Sequence, residues 1–247
     1  MATDDSVMQP SELAPRPEHH HRDVRGGAAR AAVFGVSDGL VSNVGLILGV
    51  AGADPAPAVV RVAGIAGLIA GAISMAAGEY NSMKVQSELL ARELDMERRE
   101  LRRNPHVETV ELSHIYQSRG VDPDRARELA QEMMRDPEIA LQTHAREELG
   151  IDPNDLGSPS RAAMSSFVAF TIGAFVPLVP WFFIGHGGAI ITSLALALVA
   201  AIVVGVATAR FTERPPAVVA GRQILFTMVP AAITYAIGSV VGAGISP

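Results

Sequence analysis

Residues 162–184 read AAMSSFVAFTIGAFVPLVPWFFI, a run without one Asp, Glu, Lys or Arg. A helix rises about 1.5 Å per residue, so about 20 apolar residues cross a hydrocarbon core roughly 30 Å thick. A charge near the centre of such a helix costs about 3 kcal/mol, which is why a spanning segment stays free of them. Two further runs, 189–209 and 224–245, are equally clean. Upstream, 31–53 is uncharged except for Asp38, and 62–78 is flanked by Arg61 and Glu79. Between these two, Asp54-Pro55-Ala56-Pro57 breaks helix and makes the pair a hairpin. The expected fold is all-α: a polytopic membrane protein with five transmembrane helices and a cytosolic helical insert between helices two and three.

The rest of the composition narrows the function. Of 247 residues, 49% are hydrophobic and 19% charged, and the two classes are segregated along the chain. Cysteine is absent, which removes disulfides, thiolate zinc sites, iron–sulfur clusters and cysteine nucleophiles. A net charge of -6 leaves no basic face for nucleic acid. The first apolar run begins about 30 residues in, carries Asp38 and is followed at once by a second span, so it is expected to be retained as a span and not cleaved as a signal. The expected organisation is a flexible tail over 1–27, helices one and two over 28–80, the insert over 81–160, and helices three to five over 161–247.

Five spans put the termini on opposite sides, and basic residues choose the sides. Arg16, Arg22, Arg25 and Arg30 precede the first span, while Arg210, Arg214 and Arg222 lie between the fourth and fifth. The opposite side offers Asp54 and Arg61 and the uncharged Gly187-Gly188. The N-terminus and insert are therefore expected in the cytosol and the C-terminus outside, in a bacterial plasma membrane.

Residues 81–161 hold seventeen acidic and twelve basic residues. Asn104-Pro105, Gly120, Asp136-Pro137 and Gly150 divide them into short helices. No Pro or Gly interrupts 81–103, so this part is expected to continue span two as a stalk. Glu97 and Glu100 lie three apart on it, and Glu108 and Glu111 repeat the interval after the break, so each pair shares a helical face. Four converging carboxylates repel unless cations sit among them, which suggests a divalent-metal cage. The competing reading is a solvated face neutralised by Arg98, Arg99, Arg102 and Arg103. His144, Glu147 and Glu148 are placed to complete a cage. Glu111 and His114 form one Glu-x-x-His interval, and a di-iron carboxylate site needs two. The run His19-His20-His21 is assigned no function.

Asp38 falls about eight residues into span one, where ionisable groups line water-filled paths, and Ser37, Ser42 and Asn43 beside it suggest a polar lumen. Met75 and Glu79 are four apart in span two and share a face. Oxygen with sulfur suits Fe(II) or Mn(II) better than Mg(II) or Ca(II). Gly35/Gly39, Gly45/Gly49, Gly67/Gly71 and Gly238/Gly242 permit close helix approach and so self-association, while Pro177, Pro180 and Pro230 are expected to bend their spans.

The segments 34–43, FGVSDGLVSN, and 71–80, GAISMAAGEY, resemble the vacuolar iron transporter family. The resemblance runs from about Arg22 to Ile245 and includes the Glu147-Glu148-Leu149-Gly150 ending of the insert. It implies a homodimer with a path between the first two helices of each subunit, exporting Fe(II), and often Mn(II), from the cytosol in exchange for protons. Asp38 and Met75 would line that path, with Glu79 at its cytosolic mouth. Glu97, Glu100, Glu108, Glu111 and Glu148 would form a cytosolic metal-collecting site. Family members often carry methionines before this last glutamate; here the chain has Thr143-His144-Ala145, a departure that leaves the metal preference open and in which a His144 nitrogen could replace a sulfur ligand. The expected ligands are divalent transition metals as substrate, Fe(II) and Mn(II) with Co(II) and Zn(II) as further candidates, and no organic cofactor. Two other classes remain open: a membrane-tethered di-iron oxidase using Glu108, Glu111 and His114, and a metal-sensing membrane scaffold.

Overall fold

The structure is a computed structural model that describes residues 27–245. The expected tail, apart from Gly27, and its histidine run lie outside these residues. The described chain is helical: α1 (Ala28–Gly52), α2 (Pro57–Arg103), α3 (Pro105–Ser118), α4 (Pro123–Met133), α5 (Pro137–Glu147), α6 (Pro159–Phe175), α7 (His186–Thr212) and α8 (Pro216–Ile245). Five of the helical segments are long and apolar enough to cross a membrane: α1, α2, α6 with its 3-10 extension, α7 and α8.

Proline starts six of these helices because its fixed φ suits the first turn and its missing N–H is one that would go unpaired there anyway. In the charged stretch, aspartates cap the starts. Asp122 accepts from the N–H groups of Asp124 and Arg125, and Asp136 from those of Glu138 and Ile139. Gly120 and Gly150 stand just past α3 and α5 with φ of 91° and 67°, the left-handed geometry that ends a helix.

Helix α2 is a single 47-residue rod. At about 1.5 Å per residue it is about 70 Å long, more than twice a bilayer's hydrocarbon thickness. Its charged half, beyond Tyr80, exceeds the length that one crossing needs, and α3 and α5 pack against the rod. Span three behaves differently from its expected bend: α6 tightens into a 3-10 segment, Val176–Phe182, containing Pro177 and Pro180. Proline frees backbone carbonyls, and in hydrocarbon each must find a donor. Ser193 of α7 supplies one, donating its hydroxyl to the Pro177 carbonyl at 2.7 Å.

The middle of the bundle is α1, which touches α2, α6, α7 and α8. Leu40, Val44 and Leu48 pack on Ala197 and Ala201 of α7 and Ala231 of α8. Ile47 and Ala51 pack on Val60, Leu178 and Trp181. Lipid tails are as apolar as leucine, so these contacts gain from close van der Waals fit rather than from leaving water. The glycines provide that fit within the chain. A Cβ on Gly39 would strike the Phe170 carbonyl of α6, and one on Gly238 would strike the Gly49 carbonyl of α1. The small-residue faces thus serve contacts within the chain.

Gly39→Ala is therefore expected to lower stability by about 1–3 kcal/mol, because the Phe170 backbone cannot give way as a side-chain tip would. At Gly221 an added methyl group would meet nothing within 4 Å, so alanine there should be accepted without loss. Thermal unfolding in detergent compares the two, and an unshifted midpoint for Gly39→Ala would show that α1 and α6 do not meet there.

Candidate functional site

Two groups of side chains carry candidate chemistry, one between α1 and α2 among the membrane spans and one in the charged helices beyond.

The first is a cavity of about 390 Å³. From α1 it is lined by Asp38, Ser42 and Asn43, from α2 by Met75, Glu79 and Ser82, and from α6 by Phe170. The spacing explains the lining: Asp38 and Ser42 are one turn apart, as are Met75 and Glu79, so each helix turns one polar strip toward the gap. Gly67 and Gly71 keep the α2 side low, since a methyl group at either position would collide with Leu46 or with the Phe170 ring. Asn43 is buried; its amide donates to the Ala174 carbonyl at 2.6 Å, while its Oδ1 has no hydrogen-bond partner. Met75 is partly buried against Ala72, Phe170 and Ala174. Ser42 donates its hydroxyl to the Asp38 carbonyl at 2.6 Å. Ser37 is not part of this lumen, for its hydroxyl donates to Gln223 of α8 at 3.3 Å.

Glu79 stands at one end of the cavity, 3.5 Å from the Arg30 guanidinium. Sequence reasoning counts Arg30 only toward orientation and misses this pair; forty-nine residues separate the partners, and no local pattern joins them. It also misses a pair on the far side of the bundle, where His186 Nε2 lies 3.3 Å from Asp54 Oδ1 and the His186 ring meets Trp181 edge-on.

The second group is Glu97 of α2, Glu108 of α3, and His144 and Glu148 at the end of α5. One ligand atom from each lies within 4.8 Å of all the others. His144 Nδ1 is 3.2 Å from Glu97, 3.4 Å from Glu148 and 3.9 Å from Glu108. His144, Glu97 and Glu108 are buried, at 0%, 4% and 6% exposure. Exposed charges need no explanation, but two buried carboxylates against a buried imidazole, with Glu148 at the rim, do. Burial, followed by the charge of Glu148, Glu108, Glu100 and Glu111, pushes the Glu97 carboxyl up to about 7. Burial, then Glu111, Glu100 and Glu148, raises Glu108 as well. Glu97 Oε1 and His144 Nε2 are buried without hydrogen bonds. Such a pocket is short of positive charge, and its donor set of carboxylate oxygens and one imidazole nitrogen fits a divalent transition metal.

The alternative of a solvated, arginine-neutralised face does not describe Glu97 and Glu108. Arg99 pairs with Asp95 at 2.6 Å, and Arg98 and Arg102 line a separate groove with Pro137 and Leu141. Glu100 and Glu111 are exposed; they lie near enough to act on Glu97 by charge but are not in the four-residue group. Glu147, counted with the cage on spacing, turns away from it and pairs with Arg119 just past α3. Consecutive helical residues point about 100° apart, so Glu147 and Glu148 cannot both face inward. His114 is exposed in a shallow groove with Glu111 and lies outside the cluster.

The sequence pattern of the VIT family matches residues 29–239. Vacuolar iron transporter 1 of Arabidopsis thaliana is 31% identical over 229 residues, covering 90% of each chain. Vacuolar iron transporter 1 of Eucalyptus grandis is 35% identical over 195 residues, 77% of each chain. The vacuolar iron transporter of Acanthamoeba castellanii is 40% identical over 190 residues, 73% of this chain and 67% of its own. With a match across nearly all of the described helices and relatives at this level of identity, the chain belongs to the vacuolar iron transporter (VIT) family.

Proposed function

We propose that this protein is a membrane transporter that exports Fe(II), and also Mn(II), from the cytosol in exchange for protons, and that it is not an enzyme. The observation that carries the reading is the α1–α2 cavity, which places two carboxylates, an amide oxygen and a thioether on one lumen among membrane-spanning helices. The relatives' names, vacuolar iron transporter, support iron as cargo.

The chemistry follows from the donors. Glu97, Glu108, Glu148 and His144 collect the ion on the cytosolic side, with Glu100 and Glu111 adding negative charge around them. The ion then reaches Glu79 and passes to Met75, Asn43 and Asp38. A carboxylate binds a metal ion or a proton but not both at one oxygen, so each metal transfer at Asp38 or Glu79 releases or takes up a proton. That competition couples the two flows. The thioether of Met75 favours Fe(II) over Mg(II), whose preference is for oxygen and water. The reading includes a homodimer, with the partly open α1–α2 side of each subunit turned to the other, the insert and N-terminus in the cytosol, and the C-terminus on the opposite side.

Uptake of Fe(II), Mn(II), Co(II) and Zn(II) into proteoliposomes under an imposed pH gradient tests it. Fe(II) and Mn(II) should accumulate, and dissipating the gradient should slow them. No uptake of any of the four ions, or uptake indifferent to the gradient, overturns the reading. The di-iron oxidase alternative predicts dioxygen consumption with Fe(II), and the exposure of His114 away from the buried cluster speaks against it.

A further inference from the structure

We propose that Arg30 is a tethered counter-cation at the mouth of the α1–α2 cavity: it holds Glu79 until a divalent ion displaces it, and so sets the metal concentration at which transport begins. The proposal rests on the transport reading above and assigns a threshold-setting role to a residue outside the metal ligands.

The pair is lopsided. The Glu79 side chain is 13% exposed and the Arg30 side chain 67%. Glu79 Oε2 is fully covered yet makes no hydrogen bond, although the Arg30 Nη2 atom is 3.5 Å away. Guanidinium–carboxylate pairs that lock do so through two parallel N–H···O bonds, and this contact has none. What remains is Coulomb attraction. Glu79, almost out of water, needs a positive charge nearby; Arg30, mostly in water, does not need Glu79. Departure of the arginine therefore costs little, provided another cation takes its place.

Arg30 also has somewhere to go. It lines a second cavity, of about 410 Å³, together with Met83 and Gln86 of α2 and with Asp152 and Asp155 of the loop after α5. Arg30 thus links the two cavities, lining the second and facing Glu79 in the wall of the first, along the α2 face that continues from Glu79 and Ser82 to Met83 and Gln86. A guanidinium released from Glu79 remains among carboxylates on the other side of the mouth. A divalent ion, smaller and with twice the charge, wins the competition for Glu79; a monovalent ion at equal concentration does not.

Mn(II) uptake into proteoliposomes, measured against Mn(II) concentration for the wild type, Arg30→Gln, Arg30→Lys, Glu79→Gln and the Arg30→Gln/Glu79→Gln double variant, tests this. Breaking a loosely held pair of this kind should lower the half-saturating concentration by about three- to fivefold in Arg30→Gln, a larger change than in the maximal rate. Arg30→Lys, which keeps the charge without the planar fork, should fall between. In the Glu79→Gln background Arg30→Gln should make no further difference. A change confined to the maximal rate, or the same shift with and without Glu79, overturns the proposal while leaving transport standing. Absence of uptake by the wild type removes the transport reading and this proposal together.

Discussion

Asp38→Ala lowers metal uptake by at least about a hundredfold, a loss equivalent to about 2.7 kcal/mol in the barrier, and leaves the helices assembled. The reason is the cavity's small stock of charge. Its lining holds two acidic residues, and Glu79 at the mouth is already paired with Arg30, so Asp38 is the carboxylate available deeper in. Under the proposed transport function, removing it takes away a metal ligand and a proton carrier in one step. Asp38→Asn separates these roles, because the amide oxygen still offers a ligand but does not exchange a proton. Its residual flux should no longer follow the pH gradient. Assembly survives because the helix contacts of α1 are made by Leu40, Val44 and Leu48 and by its glycines. Uptake in proteoliposomes and size-exclusion chromatography of the same preparation check both halves, and undiminished flux from Asp38→Ala would remove Asp38 from the path.

The second large effect is of opposite sign for stability and for binding. Glu97 has its carboxyl raised to about 7 in the folded protein, against an ordinary value of 4.5. Between these two pH values the folded chain binds more protons than the unfolded one, so stability falls as pH rises through the interval. The loss attributable to this group is roughly 2–3 kcal/mol by pH 7.5, taking about 1.4 kcal/mol per pH unit and discounting for coupling to its neighbours. Metal-free protein should therefore unfold at lower temperature at pH 7.5 than at pH 5, and Glu97→Gln should flatten the difference and raise the midpoint at pH 7.5. Added Mn(II) or Fe(II) should restore the wild type at pH 7.5 and do little for the variant, whose affinity should fall by about a hundredfold. Calorimetry of the metal-free and metal-loaded proteins measures all of this. A Glu97→Gln midpoint below that of the wild type, without metal at pH 7.5, would mean that Glu97 is held by a partner rather than strained by its neighbours.

Much of the architecture is readable before any coordinates because bilayers impose one-dimensional rules. Charge-free runs locate the spans, and the lack of Pro or Gly after Gly78 marks α2 as continuous. The breaks read at Asp54–Pro57, Asn104-Pro105 and Asp136-Pro137 fall where α2, α3 and α5 begin. The pairs Asp38 with Met75 and Glu97 with Glu108 emerge from spacing and resemblance together. What spacing does not reveal is azimuth and distant pairing. Glu147 and Glu148 are chemically equal in sequence, and only the direction of α5 sends one to Arg119 and the other toward His144. The glycine pairs permit close approach without naming the partner, and the fold sets Gly35 and Gly39 against α6, Gly49 against α8, and Gly67 and Gly71 of α2 against Leu46 and Phe170. Arg30 belongs to an arginine-rich flank by composition and to Glu79 by geometry.

The unbroken α2 rod also fixes an angle. Met75 and Glu97 are twenty-two residues apart, which on an ideal helix is about 33 Å of length and six full turns plus about 40°. The membrane lumen and the buried cluster beyond it therefore open toward nearly the same side, in phase along one shaft. A single residue added or removed between them would leave each intact yet swing one about 100° around the axis relative to the other. The residue count of this segment thus matters as much as its chemistry, for the helix acts as an indexing shaft that sets the relative bearing of two distant chambers.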